Sequence, residues 1–140
     1  MSTAQRLFGL DPRPLSAVWK LAGADLVVLA ALITVGELRH GVNPITAPVA
    51  VAETMFPFLV GWFLVATLVG AYGDRAFAGG MASARLAAGA WIGGANIGLM
   101  LRASPYFSGN SPWTFMLVMT GLGAVVFGLA RPLVVGWLVE

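Results

Sequence analysis

The chain contains no cysteine and one histidine, and 10% of its 140 residues are charged. Without cysteine there is no disulfide, no thiolate metal site and no cysteine nucleophile. One histidine leaves little for a metal: Glu37 and His40 stand at i and i+3 on one helical face, a spacing used in helix-bundle metal sites, but further ligands would have to come from a second subunit. No metal and no cofactor is therefore expected. The shortage of charge excludes a soluble domain of this length, in which about a quarter of residues would be ionic. Eight Lys/Arg against six Asp/Glu are also too few and too dispersed for a nucleic-acid surface. A Walker-type phosphate loop, a Gly-x-Ser-x-Gly elbow and a His-Glu-x-x-His pair are missing, so no common catalytic signature argues for an enzyme.

What is present is apolar sequence, 59% of the chain. It falls into runs long enough to cross a bilayer at 1.5 Å per residue, with charges mostly between them. The expected fold is all-α, a polytopic membrane bundle of four helices. A polar cytoplasmic tail, 1–17, precedes a transmembrane domain, 18–140, with spans near 18–38, 48–72, 85–103 and 113–132. The first run ends in Gly36-Glu37-Leu38-Arg39-His40-Gly41 with no small-x-small cleavage site after it, which reads as a retained signal anchor. The second span starts either at Pro48, with Pro57 inside it as a kink, or near Met55, with Pro57 in a tolerant first turn. Gly89, Gly93, Gly94 and Gly98 make the third span the expected packing centre, through two small-xxx-small pairs. Pro105, Gly109, Asn110 and Pro112 mark a turn-rich loop before the fourth.

Loop cations set the orientation. Arg6, Arg13, Lys20, Arg75, Arg85 and Arg131 fall on one side and Arg39 and Arg102 on the other, which predicts both termini in the cytosol of a multi-pass cell-membrane protein. Trp19, Trp113 and Trp137 sit at span ends, as interfacial belts require.

Candidate functional residues follow from ions in or near the spans. Glu37, Arg39, His40, Glu53 and Arg102 are expected to gather at the outer end, as interfacial anchors or as a vestibule in which Arg102 pairs with Glu53 or grips an anion as a planar fork. His40 could also relay or sense protons there. Asp25 lies about 7 Å beyond Lys20 along the first helix, on a face shared with Gly36 and Arg39, and must be protonated or paired and turned inward. Asn96 is the other polar residue within a span, an amide suited to an interhelical hydrogen bond.

Taken in order, Ala24-Asp25, Gly36 with Arg39-His40-Gly41, Pro57-Phe58 and Gly98-Leu99-Met100-Leu101-Arg102 look like a prokaryotic family of small four-span membrane proteins, the domain of unknown function (DUF) family 3054. The resemblance covers roughly Leu21 to Val135. It implies an integral membrane protein, brings no activity with it, and singles out Asp25, His40, Pro57 and Arg102 for mutation.

Three functions fit these observations. The leading one is a small transporter or proton- or solute-conducting bundle, expected as a homo-oligomer whose cation bias demands parallel subunits. The second is an accessory or assembly subunit docking its glycine-rich helix on a larger membrane partner. The third is a membrane enzyme acting on lipid or isoprenoid. The lipid bilayer is an expected partner in every case.

Overall fold

A computed structural model describes residues 15–107 and 112–139. Arg6 and Arg13 of the tail, and Gly109 and Asn110 of the last loop, lie outside the described residues. Among the described residues the fold is all-helical: α1 (Leu15–Arg39), α2 (Pro48–Leu68), a short 3-10 turn (Asp74–Ala78), α3 (Gly80–Arg102) and α4 (Trp113–Val139). Three of the helices, α1, α2 and α4, are long and apolar enough to cross a membrane. The remaining one, α3, has 23 residues but is diluted by glycine and alanine and carries Arg85 and Arg102.

Local sequence explains the ends. α1 stops at Gly41, whose φ of +83° suits a residue without Cβ. There Val42 N–H reaches back to the Glu37 carbonyl at 2.8 Å and Gly41 N–H to that of Leu38 at 3.2 Å. Asn43 then turns the chain by accepting from Ile45 N–H at 2.8 Å. α2 starts at Pro48 and not near Met55, so Pro57 lies inside the helix and supplies no N–H to the Glu53 carbonyl. It ends at Leu68, four residues short of the expected Tyr72, because Gly70 takes φ +76° and closes the same kind of cap. α3 begins at Gly80, ahead of the expected Arg85, and α4 continues through Pro132 to Val139.

Each helix buries one stripe. On α1 it is Leu21, Asp25, Leu29 and Ile33, at steps of four. On α4 it is Met119, Gly123, Phe127, Arg131 and Val135, again at steps of four. α3 lies antiparallel between α2 and α4. A Cβ at Gly61 of α2 would strike the Gly94 carbonyl, and Gly98 meets Phe58, so the two backbones approach as only glycine allows. Gly93 touches Val65, whereas Gly89 faces open space. On the other side of α3 the Trp91 indole fills the place of a side chain at Gly123 and donates from Nε1 to the Met119 carbonyl at 2.8 Å. The axis of the bundle is filled by stacked rings: Trp62 to Phe127 at 4.3 Å, Trp91 to Phe127 at 5.0 Å and Phe58 to Trp91 at 6.0 Å between centroids.

α1 is held differently, meeting α2 and α4 with far fewer neighbours than α3 has. The outward faces of α1 and α4 remain apolar, with Leu26, Val27 and Val35 on one and Leu117, Leu122, Val125, Leu129 and Leu133 on the other exposed. An apolar surface of this extent suits contact with lipid.

Candidate functional site

Buried polar or charged residues among those described are Asp25, Ser83 and Arg131. Asp25 and Arg131 occupy places in the stripes of α1 and α4 where every neighbour is apolar or glycine, and an ion there is stable only if paired and hydrogen-bonded. They pair with each other: Arg131 Nη2 lies 2.7 Å from Asp25 Oδ2. Arg131 Nε adds a longer bond of 3.4 Å to Asp25 Oδ1, and Nη1 donates to the Ala71 carbonyl at 2.6 Å. The guanidinium thereby ties α1, α4 and the α2–α3 connection together.

The Gly70 cap puts that connection in place. By folding Ala71 N–H back onto the Ala66 carbonyl at 2.8 Å, it turns Ala71 and Tyr72 under the end of α2. Tyr72 hydroxyl donates to Asp25 Oδ2 at 2.7 Å and accepts from Trp62 Nε1 at 3.0 Å. Arg131 Cζ also lies 5.4 Å from the Tyr72 ring centroid and 6.0 Å from that of Trp62. Ser83, fully buried, has a hydroxyl with no hydrogen-bond partner among the described residues.

Tyr72 also lines a groove of about 250 Å³ between α1 and α2, together with Leu15, Val18, Trp19, Ala22, Phe63 and Thr67. Thr67 satisfies its hydroxyl internally, on the Phe63 carbonyl at 2.7 Å. The groove is apolar, and Tyr72 separates it from Asp25.

The other sequence candidates lie elsewhere. Glu37 is half-buried, and Arg39, His40 and Glu53 are exposed, at the opposite end of the bundle. Arg102, also there, lays its guanidinium 4.8 Å from the centroid of Phe115. Asn96 is exposed on α3 and donates from Nδ2 to the Ile92 carbonyl of its own helix at 2.7 Å. Of the candidate ions, Asp25 alone is in the buried site. Its main partner was placed by sequence among the loop cations, but Arg131 is 1% exposed, inside α4. One sequence signal pointed to it: Arg131 interrupts an apolar helix four residues after Phe127 and four before Val135, on the stripe that Met119 begins.

These features define a class: an all-helical bundle, three of its helices long and apolar enough to cross a membrane, with one end tied by a buried ion pair. Within that class, the family described as Protein of unknown function (DUF3054) matches residues 22–134, and the chain belongs to it. The match spans both Asp25 and Arg131. No curated protein and no solved structure matches the chain.

Proposed function

We propose that this is a four-span, multi-pass protein of the cell membrane, with both termini cytosolic, acting as a small proton-coupled carrier in which Asp25 is the proton-binding group. α3 supplies the fourth span: it runs between α2 and α4 along their length, and must lie at the depth they do. With Arg131 removed from the loops, Arg6, Arg13, Lys20, Arg75 and Arg85 still stand against Arg39 and Arg102, and the bias keeps its sign.

The observation that carries the carrier reading is the Asp25–Arg131 pair joined through Tyr72 to a groove open at the bundle's side. Stacked rings fill the axis, so a solute path runs beside α1. A proton on Asp25 substitutes for Arg131 as its partner and loosens α1, whose remaining contacts are few. In proteoliposomes loaded with a pH-sensitive dye, the wild-type chain should dissipate an imposed proton gradient and Asp25→Asn should not. Equal flux in the two would end this reading.

The accessory-subunit reading keeps one specific support, the outward face of α3, where Gly89 and Asn96 offer open space and an amide. Gly93 and Gly94 pack inside the chain, so Gly89→Leu is the informative substitution. Detergent pull-down would recover a stoichiometric partner from the wild type and lose it with Gly89→Leu.

A further inference from the structure

We propose that the α1–α2 groove binds the apolar tail of an amphiphilic carboxylic acid, whose carboxylate takes the place of Asp25 on Arg131. This deepens the carrier reading by naming the solute class, and rests on it for transport but not for binding.

Charge balance selects the class. Among the described residues the buried site holds one carboxylate and one guanidinium, so it is neutral as a pair. A cation or anion entering alone would leave an uncompensated charge at membrane depth. An acid arriving from lipid in its neutral form, RCOOH, brings none. Its proton moves to Asp25, the Asp25 carboxylate releases Arg131, and the ligand carboxylate so formed accepts from the freed guanidinium. One carboxylate is exchanged for another and the site stays neutral at each stage. Among the described residues the groups facing Asp25 are Arg131 from α4 and Tyr72 from the α2–α3 connection, with Trp62 of α2 behind Tyr72. None of the others supplies a second negative charge.

Donor capacity agrees. A guanidinium has five N–H groups, and Arg131 spends three, on Asp25 Oδ1, Asp25 Oδ2 and the Ala71 carbonyl. A planar fork thus receives a new carboxylate while the bond to Ala71 stays in place. The tail site is equally specific: Leu15, Val18, Ala22 and Phe63 give an aliphatic and aromatic lining, and Thr67 has turned its hydroxyl back into α2. Tyr72 is the shared wall, its ring lining the groove and its hydroxyl 2.7 Å from Asp25 Oδ2, so a shift of this one side chain joins tail site to head site.

The test is binding of dibromostearic acid to the full-length chain in detergent, read by bromine quenching of tryptophan fluorescence. Trp19 lines the groove, and Trp19→Phe should remove most of the quenching. Wild type should show saturable quenching by the acid, about tenfold weaker for its methyl ester. Ala22→Leu, which narrows the groove and leaves the ion pair untouched, should weaken the acid at least tenfold. Asp25→Asn, leaving Arg131 in need of a counter-ion, should tighten it about tenfold, whereas Arg131→Gln should weaken it. Ester binding equal to acid, binding indifferent to Ala22→Leu, or parallel loss in Asp25→Asn and Arg131→Gln would each overturn the proposal. Proton flux that depends on Asp25 without acid binding would sink this inference and spare the carrier; acid binding without flux would do the reverse.

Discussion

The two ends of the bundle treat charge in opposite ways. At the closed end a single carboxylate and a single guanidinium are withdrawn from solvent into the helix stripes, and backbone, phenol and indole complete their hydrogen bonds. At the open end Glu37, Arg39, His40, Glu53 and Arg102 stand at helix termini and remain wholly or partly accessible. Less free energy depends on any one residue of the open end, because water competes for each of those ions and does not compete for Asp25. Burial of an ion, more than its presence at a helix end, therefore marks where the fold is concentrated.

The largest test of this contrast is Arg131→Gln. It strands a buried carboxylate, and thermal unfolding in detergent should report a loss of about 3–5 kcal/mol. Replacing both partners, Asp25→Leu with Arg131→Met, should recover most of that loss, since two apolar side chains need no counter-ion. Tyr72→Phe comes next: it deletes the donor to Asp25 and leaves Trp62 Nε1 buried without its acceptor, for about 2 kcal/mol by the same melt. At the open end Arg102→Gln should cost no more than about 1 kcal/mol, because the guanidinium there is partly open to solvent. If Arg102→Gln proved as damaging as Arg131→Gln, the contrast between the ends would fail.

Much of this architecture was legible in sequence, and the parts that were not share a physical cause. Helix existence followed from apolar run length, and the inward turn of Asp25 followed from the cost of a bare carboxylate in lipid. The partner was hidden because it stands 106 residues away, in a position that looks like the fringe of a span. Positive-inside counting treats every cation near a span end as solvated, and Arg131 breaks that premise. Tyr72 was hidden for another reason: its position depends on a left-handed Gly70, and Gly-Ala-Tyr-Gly after an apolar run marks a turn without saying which way the tyrosine points. The glycines of α3 show a different limit. Spacing grouped Gly89 with Gly93, but a spacing rule cannot tell a face that meets Val65 from one that meets nothing.

His40 gives the smallest expected effect and the cleanest check on the open end. As the single histidine it drew attention as a proton relay. In the fold it is exposed just past α1, and what holds it is backbone, its N–H shared between the Gly36 and Glu37 carbonyls at 3.2 and 3.1 Å. A glutamine keeps that N–H and leaves Gly41, which closes the cap, unchanged. His40→Gln should therefore shift stability by less than about 0.5 kcal/mol, and the proton flux of reconstituted protein should keep its wild-type rate and pH profile. An altered profile would place a titrating group of the mechanism at the open end and make the two ends partners in one pathway. An unaltered one is what the carrier reading expects, with Asp25, at the other end of the bundle, as its proton-binding group.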